Sequence, residues 1–488
     1  MTSPLALQER SVAARLRQQI LALIRSQGWG PGRRIPTEAA LKAMFGASRP
    51  PLREALKRLE QEGVIVAEHG QGRFVAPAAA ARVERPATAF ESLTEMLRRS
   101  GYEAQTRLLS VGEVGAEPEV AQALGCATGA PVLRLERLRT HAGEPLIYSL
   151  AYVPAARLPG PLYEADWTAS LIARLSEGGP PVRMSAATAS AVELPAETQG
   201  RCRLGGFGPA MLIAETGYDA AGAPALFAHD YHRGGLFSFS FARTRLGADA
   251  RGSISQAARL AADLRALIAE QGLGPGDQLP TEAQLTAAFG VSRSALREAL
   301  KGLEQDGAIR AEHGRGRFVT ALARIEVARP ITAFESATDM MLHAGLDPTP
   351  RLLDLAEEPA PPEIAEALRL AEGAPVLRIE RVRLDGAAAI LASTDFVSPA
   401  LLSAEAVRCD RGGSLTALLE AAGRRPVMST AKATAAALPA HLQARPEFRD
   451  FGPAFLIEET CYDAAGEPVL ASIEHHKGAA FSFGFVRR

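Results

Sequence analysis

One long stretch of this chain is written twice. IPTEAALKAMFGASRPPLREALKRLEQEG, beginning at Ile35, returns as LPTEAQLTAAFGVSRSALREALKGLEQDG, beginning at Leu279, 244 residues later. The same displacement carries EHGQGRFV (from Glu68) onto EHGRGRFV (from Glu312) and GAPVLRLERLR (from Gly129) onto GAPVLRIERVR (from Gly373). It also carries FGPAMLIAETGYDAAG (from Phe207) onto FGPAFLIEETCYDAAG (from Phe451). One register held to both ends means tandem duplication of a whole multi-domain unit, with a period far beyond the ~20–50 residues of a solenoid repeat.

Each unit divides into a basic helical part, a small-residue linker and a longer acidic part of alternating apolar segments and turns. The expected boundaries are a first basic helical domain at 1–76, linker 77–84, a first acidic domain at 85–244 and an inter-unit connector at 245–254. The second copy follows with a basic helical domain at 255–320, linker 321–328 and an acidic domain at 329–488. The formal charge of the 488 residues is −1, yet residues 1–80 carry net +6 and residues 251–324 net +2, leaving −9 on the rest. Positive charge is thus concentrated in two segments, as a phosphate-facing surface requires.

The chain has no run of the ~18 apolar residues that mark a membrane span, and MTSPLALQER has no basic stretch followed by an apolar one, so neither a span nor a secretory leader is expected. Four scattered cysteines (Cys126, Cys202, Cys409, Cys461) form no C-x-x-C pair, which reads as reduced thiols in a cytoplasm. No histidine spacing fits a metal site, so neither metal nor cofactor is expected, and no membrane.

In the basic part, Val12, Leu16, Ile20, Leu23 and Ile24 follow helical spacing up to Gly28. A short helix capped by Thr37 (Thr281) carries Leu41, Met44 and Phe45, and Gly46 (Gly290) supplies the turn. Ser48 (Ser292) then precedes a third helix, with Leu52, Ala55, Leu56 and Leu59 on one face. Arg49, Arg53 and Lys57 run down another face, as do Arg293, Arg297 and Lys301. A helix fits the major groove, where long cations along one edge reach phosphates and guanine acceptors. Two short strands follow around a Gly-rich tip holding His69 and Arg73, or His313, Arg315 and Arg317, suited to a minor groove or the backbone. The competing reading of such a helix is a solvated basic face; the charge concentration argues against it.

These residues resemble the winged helix-turn-helix of GntR-family bacterial transcription regulators, in G-x-G-P-G-x-x-[IL]-P-T-E, F-G-x-S-R-x-x-L-R-E-A-L and H-G-x-G-R-F-V. The resemblance implies that Arg49, Arg53 and His69, with Arg293, Arg297 and His313, contact DNA. The chain departs at Ala39 and Ala283, where the family often has a base, and at Pro50-Pro51. Two prolines after a Ser48 cap lack the N–H groups that a cap accepts, so helix entry is expected to differ between copies. The second copy keeps Ser294 and Ala295 there but has Gly302 in place of Arg58. Two unequal DNA readers are expected, the first leaning more on charge.

In the acidic part, helices are expected over Ala89–Gly101 and Glu119–Leu124, with strands at APVLRLERLR and GEPLIYSLAYVP. A long hairpin should turn at Asp219–Gly222, followed by a last strand alternating Phe237, Phe239 and Phe241. This part is similar to the UTRA effector-binding domain of the HutC-type branch, through LTEMLRRSG, L-E-R-L-R, A-Y-V-P and the closing DYHRGG. The fold class is therefore α+β: two winged helix-turn-helix domains and two chorismate-lyase-like mixed antiparallel sheets in tandem.

The resemblance maps ligand-contacting arginines to Arg137 and Arg139, and to Arg381 and Arg383. Arginines at i and i+2 leave one sheet face and, converged, make a fork for phosphate or carboxylate; the competing reading is ion pairing with Glu136 or a cross-strand acid. Capping residues Thr88 and Ser92 (Thr332 and Ser336) are expected to add donors to the anion, and Glu215 and Glu459 to accept ligand hydroxyls. Asp395 stands in the second copy where the first has Ala151; an acid there repels an anion or selects an amine.

The expected function is a transcription regulator, a repressor by family precedent, located in the bacterial cytoplasm at the nucleoid. Its partners are double-stranded operator DNA and a small effector of the sugar-phosphate, amino-acid or organic-acid class. It acts as a homodimer or as an intramolecular pseudo-dimer. The alternatives are a lyase-like enzyme on the same fold, supported by fold analogy alone, and a non-specific DNA binder.

Overall fold

The computed structural model describes residues 16, 17, 19, 20, 23, 24, 34–61, 65–68, 72–75, 83–158, 166–219, 221–244, 256–274, 276–305, 308–312, 315–320, 330–343, 346, 348–409 and 414–487. By Cα proximity the chain forms two compact bodies, one of residues 1–84, 93–104 and 235–238, the other of the remainder.

The first winged helix closes over Leu16, Ile20, Ile24, Ile35, Leu41, Leu52, Leu56, Leu59 and Ile65. Thr37 caps the helix Glu38–Phe45 by accepting from the Ala40 N–H at 3.3 Å, and Gly46 ends it at φ 61. Leu41 is buried as its spacing requires, whereas Met44 is 57% exposed. The recognition helix Arg49–Gln61 follows, and the wing pairs 65–68 with 72–75. Val12, His69 and the 76–82 linker lie outside the described residues.

The second winged helix packs Leu260, Leu264 and Ile268 of helix Gln256–Glu270 on Leu285, Leu296, Leu300 and Leu303. Thr281 and Gln284 form a reciprocal capping box on Glu282–Phe289. The recognition helix spans Arg293–Gln305 and the wing pairs 309–312 with 316–319. Both recognition helices begin at the same repeat position, so the expected difference in helix entry is not found in the backbone. The difference is one cap bond: Ser292 Oγ accepts from Ala295 N at 3.2 Å, and Pro51 has no N–H to offer. First-turn positions have no intrahelical N–H partner to lose, which is why prolines are tolerated there.

The sensing domains are antiparallel sheets with helices packed on them. One sheet has seven strands, ordered 482–487, 182–193, 209–219, 224–233, 144–154, 131–141 and 105–115. The other has eight, seven of which run 349–359, 375–385, 388–397, 468–477, 454–462, 428–436 and 237–244. The helix Pro118–Leu124 is close to the expected span, and a further helix runs over Leu171–Gly178. Leu93–Arg99 is shorter than the expected Ala89–Gly101. The hairpin turns where expected, with the Asp219 carboxylate accepting from Ala221 N and Ala223 N, both at 3.0 Å.

The last strand of each copy does not join its own sheet. Residues 239–244 pair with 428–433 of the second copy, and 482–487 pair with 185–190 of the first. The phenylalanine alternation marks the strand; it carries no information about which sheet receives it. Phe239 and Phe241 are buried together with Phe483 and Phe485 in one apolar cluster built from both copies. Fully burying side chains of this size stabilises by about 1.5–3 kcal/mol each, so the exchange joins the two sensing domains through a common core.

Two glycines permit the crossing. A Cβ on Gly234 would lie 2.4 Å from the Ala435 and Pro209 carbonyl oxygens, and one on Gly478 only 2.0 Å from Ala191 O. These are equivalent positions in the repeat, each against the partner copy's strand.

Candidate nucleic-acid interface and effector sites

On the first recognition helix, Ser48, Arg49, Arg53 and Lys57 are exposed. Arg53 is 67% exposed yet not loose, since its Nε donates to Glu38 Oε1 at 2.7 Å. Arg73 of the wing lies 4.0 Å from the other oxygen of Glu38. The carboxylate of the P-T-E motif thus holds one cation from the recognition helix beside one from the wing. A concavity of about 810 Å³ opens between Glu38, Lys42, Arg49 and Arg53.

The second reader repeats the arrangement with the wing arginine drawn closer to the shared carboxylate. Arg297 Nε donates to Glu282 at 3.0 Å and Arg317 Nη1 donates to the same carboxylate at 2.8 Å. Arg317 also donates to Glu304 at 2.7 Å. The Arg317 and Arg297 hydrogen bonds hold Glu282 below the ordinary carboxylate range. Arg317 therefore fastens the wing to the helix, while Ser292, Arg293, Arg297, Lys301 and Arg315 are exposed. Arg315 pairs with Glu312 and lies over the Phe318 ring at 5.4 Å. Sequence spacing missed Glu38 and Glu282, although each is the first residue of a capped helix. His69 and His313 lie outside the described residues.

In the first sensing domain the strand Pro131–His141 places Leu133, Leu135, Arg137 and Arg139 on one face. The two leucines pack under Trp167, Leu171 and Leu175, and the arginines continue the row into the interior, only 4% and 3% exposed. Arg137 Nη1 donates to the Ala169 carbonyl at 3.0 Å and more weakly to that of Trp167 at 3.4 Å. Arg139 Nη1 donates to Ser149 Oγ at 2.7 Å, and Ser149 donates on to Asp230. The Nε atoms of both arginines are buried without a hydrogen-bond partner among the described residues. Burial, then the neighbouring Arg139 cation, pulls Arg137 below its ordinary value. Burial likewise pushes Asp230 up. Glu136 points to the opposite face, where Tyr148 donates to it at 2.7 Å and Arg201 and Ser110 also bond it. The arginine pair is therefore not spent on Glu136.

The second sensing domain places the same side chains differently. Arg381 donates to Asp395 Oδ2 through Nη2 at 2.9 Å and Nε at 3.3 Å. Ser393 and Ser472 donate to the same carboxylate at 2.9 and 2.7 Å. Arg383 is 3% exposed, and Glu474 beside it accepts from His476 at 3.0 Å. Burial raises Glu474, but the His476 bond and the nearby Arg243 and Arg383 cations win and lower it.

Glu215 and Glu459 are engaged in the strand exchange. Arg243 donates to Glu459 at 3.0 Å and its Nε reaches the Ile331 carbonyl at 3.1 Å. Arg487 donates to Glu215, and its Nε reaches the Ala87 carbonyl at 3.2 Å. Ser185 and Ser429 complete the two carboxylates. Each acid receives an arginine from the other copy's last strand, a partner that spacing within one copy cannot reveal. Thr88 and Thr332 are exposed, Ser92 is buried, and Ser336 caps its helix by accepting from Asp339 N at 3.1 Å. Asp230 and Ser149 were missed as site residues; their signal is register, since Arg137, Ser149 and Asp230 lie abreast on neighbouring strands.

The description "Bacterial regulatory proteins, gntR family" matches residues 10–75 and 256–319, and "UTRA domain" matches 99–238 and 343–482. An uncharacterized HTH-type transcriptional regulator of Rhizobium meliloti is 35% identical over 123 residues, a quarter of this chain (25%) and 50% of that protein. A histidine utilization repressor of Pseudomonas aeruginosa is 31% identical over 163 residues, 32% of this chain and 63% of its own length. The chain thus spans about half to two thirds of those relatives. The transcriptional repressor NagR of Bacillus subtilis is 24% identical over 237 residues, 47% of this chain and 93% of NagR.

Proposed function

Because the chain belongs to the gntR family of bacterial regulatory proteins, we propose that it is an effector-controlled, sequence-specific DNA-binding repressor built as a pseudo-dimer in one polypeptide. The observation that carries this reading is the matched pair of exposed recognition helices. Each holds an arginine two-thirds exposed against the glutamate of its P-T-E motif. A guanidinium kept extended by one carboxylate loses little further freedom on reaching a base edge or phosphate.

Regulators of this architecture read two half-sites about one helical turn apart. The strand exchange supports the view that both half-site readers come from a single chain. In the sensing part, the buried arginines suit an anionic effector, of phosphate or carboxylate character, whose binding shifts the population between arrangements of the readers.

The test is binding to duplexes from the protein's own locus against random duplex, across a salt series. Specific binding that weakens steeply with salt and is relieved by an anionic effector supports the reading. Equal affinity for random sequence would return the non-specific alternative.

A further inference from the structure

The two sensing domains differ most where a ligand would meet the arginines. In the first, two buried arginines share the interior with one nearby acid, Asp230. In the second, Arg381 and Arg383 share it with two acids, Asp395 and Glu474. The extra acid lies on a specific cross-strand row. Ile379, Asp395, Ser472 and Glu459 stand abreast in the second sheet, and Leu135, Ala151, Ala228 and Glu215 stand abreast in the first. Where the first copy offers two alanines, the second offers a carboxylate and the hydroxyl that binds it.

A buried cation in excess of its acids is stabilised by an incoming anion, because desolvation has already been suffered and the partner arrives in a low-dielectric site. A buried cation already bonded by a carboxylate with two further donors gains nothing from a second anion and suffers like-charge repulsion. We propose that the anion-binding site of this protein is the first sensing domain alone. Asp395 fills the anion's place in the second and closes it to such ligands. Asp395, with Ala151 opposite it in the repeat, is then the specificity-determining position. This rests on the reading that the arginines receive the effector, and it assigns the two copies separate tasks: the first senses, while in the second Asp395 already pairs Arg381.

The test uses the full-length, DNA-free chain with inorganic phosphate as the probe, followed by calorimetry and ³¹P line broadening. Arg137→Gln should weaken phosphate binding by about tenfold or more, the worth of a hydrogen bond to a charged group, while Arg381→Gln leaves it unchanged. Asp395→Ala should create a second site that Arg381→Gln abolishes. Ala151→Asp, made with Ala228→Ser to copy the second domain, should remove the first. Equal losses from Arg137→Gln and Arg381→Gln in the wild-type background would overturn the proposal and leave the arginine reading standing, a result that does not depend on Asp395→Ala folding. Phosphate binding indifferent to both arginines would overturn the reading and the proposal together.

Discussion

At the crossing of the last strands the two copies are near mirror images; at the arginine sites they are not. Arg243 with Glu459 repeats as Arg487 with Glu215, and Gly234 against Ala435 repeats as Gly478 against Ala191. On the neighbouring strands, Ala151 and Ala228 give way to Asp395 and Ser472. The crossing needs both copies at once, so each side chain there is held by a partner in the other half. The hydrogen bonds that Arg137, Arg139 and Arg381 make each stay within one copy, so a change in one set leaves the other intact. A duplicated chain can therefore diverge in what it binds while staying symmetric in how it is joined.

The largest expected effect breaks the symmetric part. Arg243→Met strands Glu459 in the interior, which should lower stability by about 3–5 kcal/mol in chemical denaturation. Adding Glu459→Leu should recover most of the loss. If the single variant is as stable as the parent, the crossing is not what holds the two domains. Gly478→Ala and Gly234→Ala come next. Each drives a methyl into a backbone carbonyl, for about 1–3 kcal/mol, and the two should give similar losses; a loss confined to one would deny the mirror relation.

The readers can be compared in the same way. Arg53→Ala and Arg297→Ala should each weaken operator binding by about 1–3 kcal/mol. Removing cations from the first reader should flatten the salt dependence more, since residues 1–80 carry net +6 against +2 for 251–324.

Acid sharpens the comparison between the sheets. His475, whose counterpart is Tyr231, is lowered to about 4 by burial first and then by the His476 and His441 charges, with Glu474 opposing. A histidine kept neutral in the folded state stabilises fully above its unfolded value, near 6.5. That contribution is lost as pH falls from about 6.5 towards about 4, by at most about 1.4 kcal/mol per pH unit. His475→Tyr should flatten the stability profile in that window. The smallest effect concerns caps. Ser292→Ala should cost about 1 kcal/mol, and Ser48→Ala close to nothing, because Pro51 has no N–H to cap.

The period of the repeat made most of the fold legible, since each assignment in one copy could be checked in the other. Arg137 and Arg139 were legible as a pair because i and i+2 share a strand face. The strand exchange was not, because a strand that meets a near-copy of its own sheet has two equivalent acceptors 244 residues apart. Glu215 and Glu459 were misplaced for the same reason. Pro50-Pro51 read as a distortion of the helix, but the first turn has no backbone bond for them to break. Asp395 was legible as an oddity; its three donors became visible only once the neighbouring strands were laid beside it.

That one chain does the work of a regulator dimer is tested most directly by weighing it on DNA. Sedimentation equilibrium or native mass spectrometry of the protein with a duplex carrying its two half-sites should find a single 51.6 kDa chain per duplex, and the free protein as a monomer. Two chains per duplex would mean that whole chains pair on the operator, and a free dimer that dissociates when Gly234 and Gly478 are both replaced would mean that the last strands cross between molecules; either would contradict the account.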